Sequence, residues 1–316
     1  MWRPDRAVQG PIRAEVRDIE ALNRVFSDAF TDRYSRDGMS GVRVPFLNPL
    51  IWRYAFEDAG DGAMLWRDAA GQICAFNMVH RSGTEGWMGP LAVRPDRQAD
   101  GLGRLVVETG IEWLRAQGCT TIGLETMPRT VDNIGFYSRL GFVPSHLTIT
   151  VARDVGRSEG VAAPRLSAAG AEGIAECRVL TAALAPGIDF TRELELTLQQ
   201  GLGDATLIRR DGRLAGFALW HVAPLAAGRS RDELRVLKLA ADDLDTAARL
   251  MEGLEQAAAA EKVKRVAVRC QSACTAFFSV LVSRAYRIHW TDLRMVLADA
   301  PEVPPTRGVL LSNWEI

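Results

Sequence analysis

Leu91-Ala-Val-Arg-Pro-Asp-Arg-Gln-Ala-Asp-Gly-Leu-Gly-Arg104 is the stretch that decides the fold. Its apolar opening, Leu91-Ala92-Val93, reads as the end of a strand, and Pro95 starts a turn-rich loop. From Gly101 an apolar stripe of Leu102, Leu105, Val106, Ile111, Trp113 and Leu114 predicts an amphipathic helix over 101–117, which Gly118 stops. Strand, glycine-bearing loop and helix together form an anion site. Glycines let the backbone approach a ligand closely, and free N–H groups with the helix dipole favour a phosphate or pyrophosphate. The spacing is neither that of a P-loop, which needs Gly-Lys-Ser/Thr, nor that of a dinucleotide fold, which needs a third glycine.

Working outward, strands and helices alternate. The pattern predicts a strand near 12–16, a helix near 18–30, an irregular stretch over 31–50 and a short helix near 48–56. A hairpin follows over 63–80, then a strand over 87–93. After the helix at 101–117 come a strand over 120–126, a helix over 132–139 and a strand over 142–152. The hairpin Ala63 to His80 has a counterpart in Ala205 to His221, each with an Asp/Gly turn between apolar strands. At the same offset of about 141 residues, Phe136-Tyr137 meets Phe277-Phe278. A constant offset across separate segments is the mark of duplication. The small-residue and turn-rich stretch at 153–164 is the expected linker, which divides the chain into 1–153 and 165–316, with 154–164 between.

Composition narrows the class. With 316 residues, two modest cores fit better than one. A net charge of −1 and 24% charged residues give no basic surface for nucleic acid. The opening Met1-Trp2-Arg3-Pro4-Asp5 has no apolar signal region and no stretch is apolar enough to span a membrane, so a cytoplasmic protein is expected. Cys74, Cys119, Cys177, Cys270 and Cys274 lack metal or disulfide spacing and read as reduced structural thiols, so no metal site is expected. Lysine occurs only at Lys238, Lys262 and Lys264, a bias toward arginine that suggests a GC-rich bacterial genome.

Gln98-Ala99-Asp100-Gly101-Leu102-Gly103 after Val93-x-Pro95, followed by Asn133-Ile-Gly-Phe-Tyr137-Ser-Arg-Leu-Gly-Phe142, resembles the GNAT superfamily of acyl-CoA-dependent N-acetyltransferases. The resemblance covers residues 11–152 and implies a fold and a set of roles. The fold is α/β: two tandem GNAT-like domains, each a mixed, mostly antiparallel twisted sheet flanked by helices. Backbone amides of Gln98, Ala99, Asp100, Gly101, Leu102, Gly103 and Arg104 would hold the acetyl-CoA pyrophosphate. Leu91, Ala92 and Val93 would pair with the pantetheine arm, and Val93 N–H would polarise the thioester carbonyl. Asn133 and Phe136 would border the cofactor, and Arg139 would meet its phosphates. Tyr137 would protonate the departing thiolate. The family's common asparagine lies about seven residues before the tyrosine, where this chain has Thr130.

Acyl transfer to an amine also needs a base, for which Glu85 and Glu125 are the candidates. His80, matched by His221 in both repeats, reads as structural. The acceptor pocket of the family plan is lined by the segment holding Arg33, Tyr34, Arg36, Arg43, Phe46, Trp52, Arg53 and Tyr54. Tyr34, Trp52 and Trp87 are the candidate substrate-binding residues, and the expected partner is a small-molecule amine. The same offset places Leu239-Ala-Ala-Asp-Asp-Leu244 at the second phosphate loop and Phe278 at the tyrosine. Both glycines and the hydroxyl would then be lost, leaving a degenerate domain that pairs with the first as a pseudo-dimer. The chain would be a monomer of two such halves or a homodimer. Its tail, Gly308 to Ile316, is apolar enough to dock. The rival readings are a non-catalytic acyl-CoA sensor or scaffold and a protein-lysine acetyltransferase.

Overall fold

The computed structural model describes residues 7–156 and 163–314. The expected linker at 154–164 therefore falls largely outside the described residues. The first half runs β1 (Val8–Arg13), α1 (Ile19–Arg36), α2 (Pro49–Ala59), β2 (Ala63–Asp68), β3 (Ile73–Ser82), β4 (Glu85–Val93), α3 (Leu102–Ala116), β5 (Thr121–Thr126), α4 (Val131–Ser138) and β6 (Phe142–Asp154). The second runs α5 (Leu166–Leu184), α6 (Thr191–Gln200), β7 (Gly203–Arg210), β8 (Arg213–His221), β9 (Glu233–Ala241), α7 (Leu244–Ala260), β10 (Arg265–Gln271), α8 (Thr275–Ser283), β11 (Arg287–Leu297) and β12 (Val309–Ser312).

Most elements lie where periodicity puts them. Two boundaries move. The first strand lies earlier, at Val8–Arg13, and α1 runs on to Arg36, six residues into the stretch read as irregular, because Phe26, Phe30 and Tyr34 repeat at i, i+4. Their rings pack with centroids 4.6 and 6.5 Å apart.

The described strands form one sheet in the order β1-β2-β3-β4-β5-β11-β6-β10-β9-β8-β7, with β12 added on β9. The tandem α/β plan is present, but the two sheets are fused. The last strand of each half lies in the other half: β11 is antiparallel to β5, β6 is antiparallel to β10, and β6 and β11 pair at the centre. A pseudo-twofold runs between β6 and β11, and each half buries its own core around it. This exchange carries second-half side chains to the face of β5.

The repeat offset is not constant. Two residues join β3 to β4 but eleven join β8 to β9, whereas eight join β4 to α3 and two join β9 to α7. Helices α4 and α8 start at Val131 and Thr275, and the turns after them pass through Gly141 and Ala285, both with positive φ, an offset of 144 in each case. Leu281, fully buried, therefore stands at the position of Tyr137, not Phe278. The hydroxyl is absent either way, but the ring is lost too.

Candidate active site

Strand β4 pairs with β5 in parallel only from Glu85 to Met88, opposite Thr121 to Leu124. Beyond Met88 the two diverge, while β4 stays on β3 through Val93. Arg94 N–H donates to Cys74 O on β3 at 2.8 Å. The alternation of an antiparallel ladder then turns Ala92 toward β3 and leaves the Leu91 and Val93 backbone groups on the open side. Gln98 Nε2 donates to Val93 O at 3.1 Å and fixes the start of the loop. Gly101 caps α3 at φ 84°, a left-handed conformation suited to glycine, and makes no side-chain cap. The first N–H groups of α3 therefore have no capping side chain.

A cleft of about 370 Å³ opens along this edge, lined by Leu91, Ala92, Val93, Gln98, Ala99, Gly101, Gly103, Arg104, Asn133, Phe136 and Tyr137 with the flank of α1. Of the expected cofactor residues, Asp100, Leu102 and Arg139 do not line it. Leu102 is buried against the core, so only its backbone can serve.

A second cavity of about 280 Å³ lies beside the first. The two share Phe30, Arg33, Leu91, Asn133 and Tyr137. Tyr137 thus stands at their junction, buried, with its ring packed against Phe136 and Phe142 at centroid distances of 5.2 and 6.1 Å. Burial pushes its hydroxyl well above the usual phenol range, so it stays protonated. Asn133 donates to Thr126 Oγ1 at 3.4 Å.

Tyr34 and Trp87, two of the candidate substrate-binding residues, line this second cavity. Trp52 does not: it is fully buried among Phe26, Phe56 and Phe76, and its Nε1 donates to Asn23 Oδ1 at 2.8 Å. It is a core residue, correcting its assignment to substrate. Glu85 also moves out of the site. It is buried outside both cavities, accepts Ser312 Oγ at 2.8 Å, and burial holds its carboxyl above the usual range. Glu125 does face the cavity, but Arg269 binds its Oε2, and Thr148 and Arg294 donate to Oε1 at 2.6 and 3.0 Å. Although burial alone would raise it, the two guanidiniums hold Glu125 below the usual carboxylate range, which disfavours it as a base.

The second half supplies four lining residues that the sequence did not single out: Arg269, Trp290, Asp292 and Trp314. Trp290 and Asp292 arrive on the exchanged strand β11. Trp314 arrives on the tail, its ring stacked on Trp87 at 5.4 Å and 28°. Nothing in local periodicity marks them, because the first-half residues with which they line the cavity lie more than a hundred residues away in sequence. The tail docks as expected, by an unexpected route. β9 and β10 pair only from Glu233 to Val236, and β12 then adds antiparallel along Lys238 to Ala241. The chain's own C-terminal strand therefore fills the gap that stays open beside β4.

The second half has no phosphate loop. Two residues, Asp242 and Asp243, connect β9 to α7, and Asp243 accepts Thr246 N–H at 2.8 Å as N-cap. Arg210 pairs with both carboxylates and, with the capping bonds, pushes Asp243 down to about 2. The helix terminus that would greet an anion is already satisfied by an acid.

Residues 20–142 match the model of the Acetyltransferase (GNAT) family, and the chain carries a domain of that family. The whole chain has a tandem GNAT fold, and the matched domain is that of a family of acyl-CoA-dependent acyltransferases. No curated protein matches the chain in sequence. Among solved structures, a putative acetyltransferase from Pyrococcus horikoshii is 16% identical, covers 98% of this chain and 96% of its own, and has a TM-score of 0.67. A tandem GNAT protein from the clavulanic acid biosynthesis pathway is 13% identical over 94% and 100% of the chains, with a TM-score of 0.58. The Saccharomyces cerevisiae N-myristoyltransferase with bound myristoyl-CoA is 10% identical over 96% and 85%, with a TM-score of 0.63. These likenesses concern the fold. No helix among the described residues is long and apolar enough to cross a membrane.

Proposed function

We propose that residues 1–153 bind acetyl-CoA and transfer its acetyl group to the amine of a small molecule by direct attack in a ternary complex. Residues 165–316 are a degenerate partner half. The observation that carries this reading is the position of Tyr137 at the junction of two cavities, one bordered by the glycine loop and one by aromatic and charged side chains. Donor and acceptor can reach one reacting centre from opposite sides.

The amides from Gln98 to Arg104 take the pyrophosphate, aided by the α3 dipole. The open groups of Leu91 and Val93 pair with the pantetheine arm, and Val93 N–H polarises the thioester carbonyl. As the amine nitrogen forms its bond to the carbonyl carbon, the carbon–sulfur bond breaks and charge collects on sulfur. The protonated Tyr137 hydroxyl donates there, giving its proton to the thiolate and recovering one from the new amide nitrogen. No covalent enzyme intermediate is needed. Four buried, free cysteines fit a reducing, cytoplasmic setting.

The test is release of CoA thiol from acetyl-CoA in the presence of a panel of primary amines. Tyr137→Phe is expected to lower turnover by about 10²–10⁴-fold while acetyl-CoA affinity stays within about twofold. Equal turnover in the two proteins would remove Tyr137 from the chemistry. Binding of acetyl-CoA without turnover on any amine would favour the sensor reading.

A further inference from the structure

The acceptor cavity is built by both halves, and its charge can be traced side chain by side chain. Arg33 is committed to Asp37 and Asp132 at 2.6 and 3.1 Å. Arg269 is shared between Glu125 and Asp292, and the buried Arg294 is shared among Glu125, Glu302 and Glu85, at 3.0, 2.7 and 3.9 Å. Four carboxylates thus share these two guanidiniums, with the Lys238 ammonium also facing Glu85, and of the four only Glu125 and Asp292 line the cavity. Glu125 already accepts three donors, two of them guanidiniums. Asp292 accepts Trp290 Nε1–H at 3.0 Å on one oxygen and Arg269 Nη2–H at 3.1 Å on the other, so a carboxylate with about four acceptor positions keeps capacity for another donor. Phe30, Tyr34, Trp87, Trp290 and Trp314 line the same cavity. The Arg294 guanidinium already covers Trp87 and the Lys238 ammonium covers Trp314, each 3.7 Å from the ring centroid, so the rings of Tyr34 and Trp290, both near Asp292, are the ones left for a ligand cation. Trp290 is 40% exposed, the largest open ring face in this group.

Building on acetyl transfer as the function, we infer that the acceptor is a primary amine carried as an ammonium ion on a flat, apolar body, and that Asp292 of the second half both anchors the ammonium and takes its proton. Aromatic faces attract a cation and pack a flat body, and a carboxylate with free acceptor positions binds N–H donors. At about 280 Å³ the cavity lies at the small end of ligand sites, which run on the order of 300–1,000 Å³. The ammonium gives one proton to the Asp292 carboxylate. The neutral nitrogen then attacks the thioester as above, and Asp292 later returns the proton to solvent. Burial raises Asp292 above the usual carboxylate range, which brings it closer to a working base. The inactive half has thereby become the part that reads the acceptor.

Equilibrium binding tests this without turnover. The full-length protein is titrated calorimetrically with tryptamine, with indole-3-acetate, which carries the same ring and the opposite charge, and separately with acetyl-CoA. Tryptamine is expected to bind and indole-3-acetate to bind at least about 30-fold more weakly, with Asp292→Asn costing tryptamine about 30-fold. Tighter binding of indole-3-acetate, no binding of tryptamine, or an unchanged tryptamine affinity in the variant would each overturn the inference. The two ligands compared on the unaltered protein keep the test valid if the variant misfolds. Loss of acetyl-CoA binding alone would count against acetyl transfer and not against this acceptor.

Discussion

The two crossings from central strand to helix are made of the same parts and do opposite things. From Val93 to Leu102 the chain spends eight residues, two positive-φ positions at Ala99 and Gly101, and an uncapped helix start. From Ala241 to Leu244 it spends two residues, both aspartates, one of them the helix cap and both paired with Arg210. The first leaves donors for an anion; the second satisfies them internally. The gap between strands tells the same story: open beside β4, filled by β12 beside β9. On the proposed reading of the second half as degenerate, its site would be lost by filling as well as by deletion.

The sharpest way to break the contrast is to convert the first loop to the character of the second. Gly103→Glu places a carboxylate in the cleft proposed for the pyrophosphate, where a Cβ would meet only Phe136 at 3.5 Å and Val93 at 3.8 Å. Two like charges near 4 Å repel by about 4 kcal/mol at the effective dielectric of a protein surface. Acetyl-CoA affinity should fall by at least about 100-fold in calorimetry, with the thermal unfolding profile little changed.

A smaller effect is expected from the plug. Leu311 is fully buried on β12, opposite Leu239 in the second-half core. Leu311→Ala should cost about 2–5 kcal/mol in urea unfolding. A loss below 1 kcal/mol would mean that the strand only rests on the groove.

The paired histidines sharpen the comparison further. His80 meets Asp58 at 2.8 Å, whereas His221 meets Thr197 Oγ1 at 2.8 Å and the edge of Tyr54. Burial, with Arg235 nearby, pushes His221 down to about 3. The unfolded histidine binds protons near pH 6.5 and the folded one does not, so its stability is present above about pH 6.5 and is lost progressively toward pH 3. Between pH 6.5 and 5 the loss is about 2 kcal/mol. Denaturant titrations across that range should show this slope, and His221→Gln should flatten it.

Local chemistry made much of this legible. The stripe from Leu102 to Leu114 placed α3, the Asp-Gly turns placed both hairpins, and the Gln98 to Gly103 and Phe136-Tyr137 pattern placed the cleft and its tyrosine. What depended on distant partners was not legible. Trp52 and Tyr34 read alike as aromatics beside arginine, and only packing puts one in the core and the other at a cavity. Glu85 and Glu125 read alike as strand acids, and only Arg269, Arg294 and Ser312 show that both are engaged elsewhere. Asp292 and Trp314 carry no local mark at all, because strand exchange and the tail bring them, with Arg269 and Trp290, to a site whose other lining residues are first-half in sequence. The uneven loops shifted the repeat offset from 141 to 144 and put Leu281, not Phe278, opposite Tyr137.

The division of labour between the halves is tested most directly by the stoichiometry of acetyl-CoA binding to the full-length chain. Calorimetric titration should give one site per chain. Two sites would show that the second half still holds cofactor despite its aspartate turn and inserted strand, and no site would contradict the cofactor role of the first.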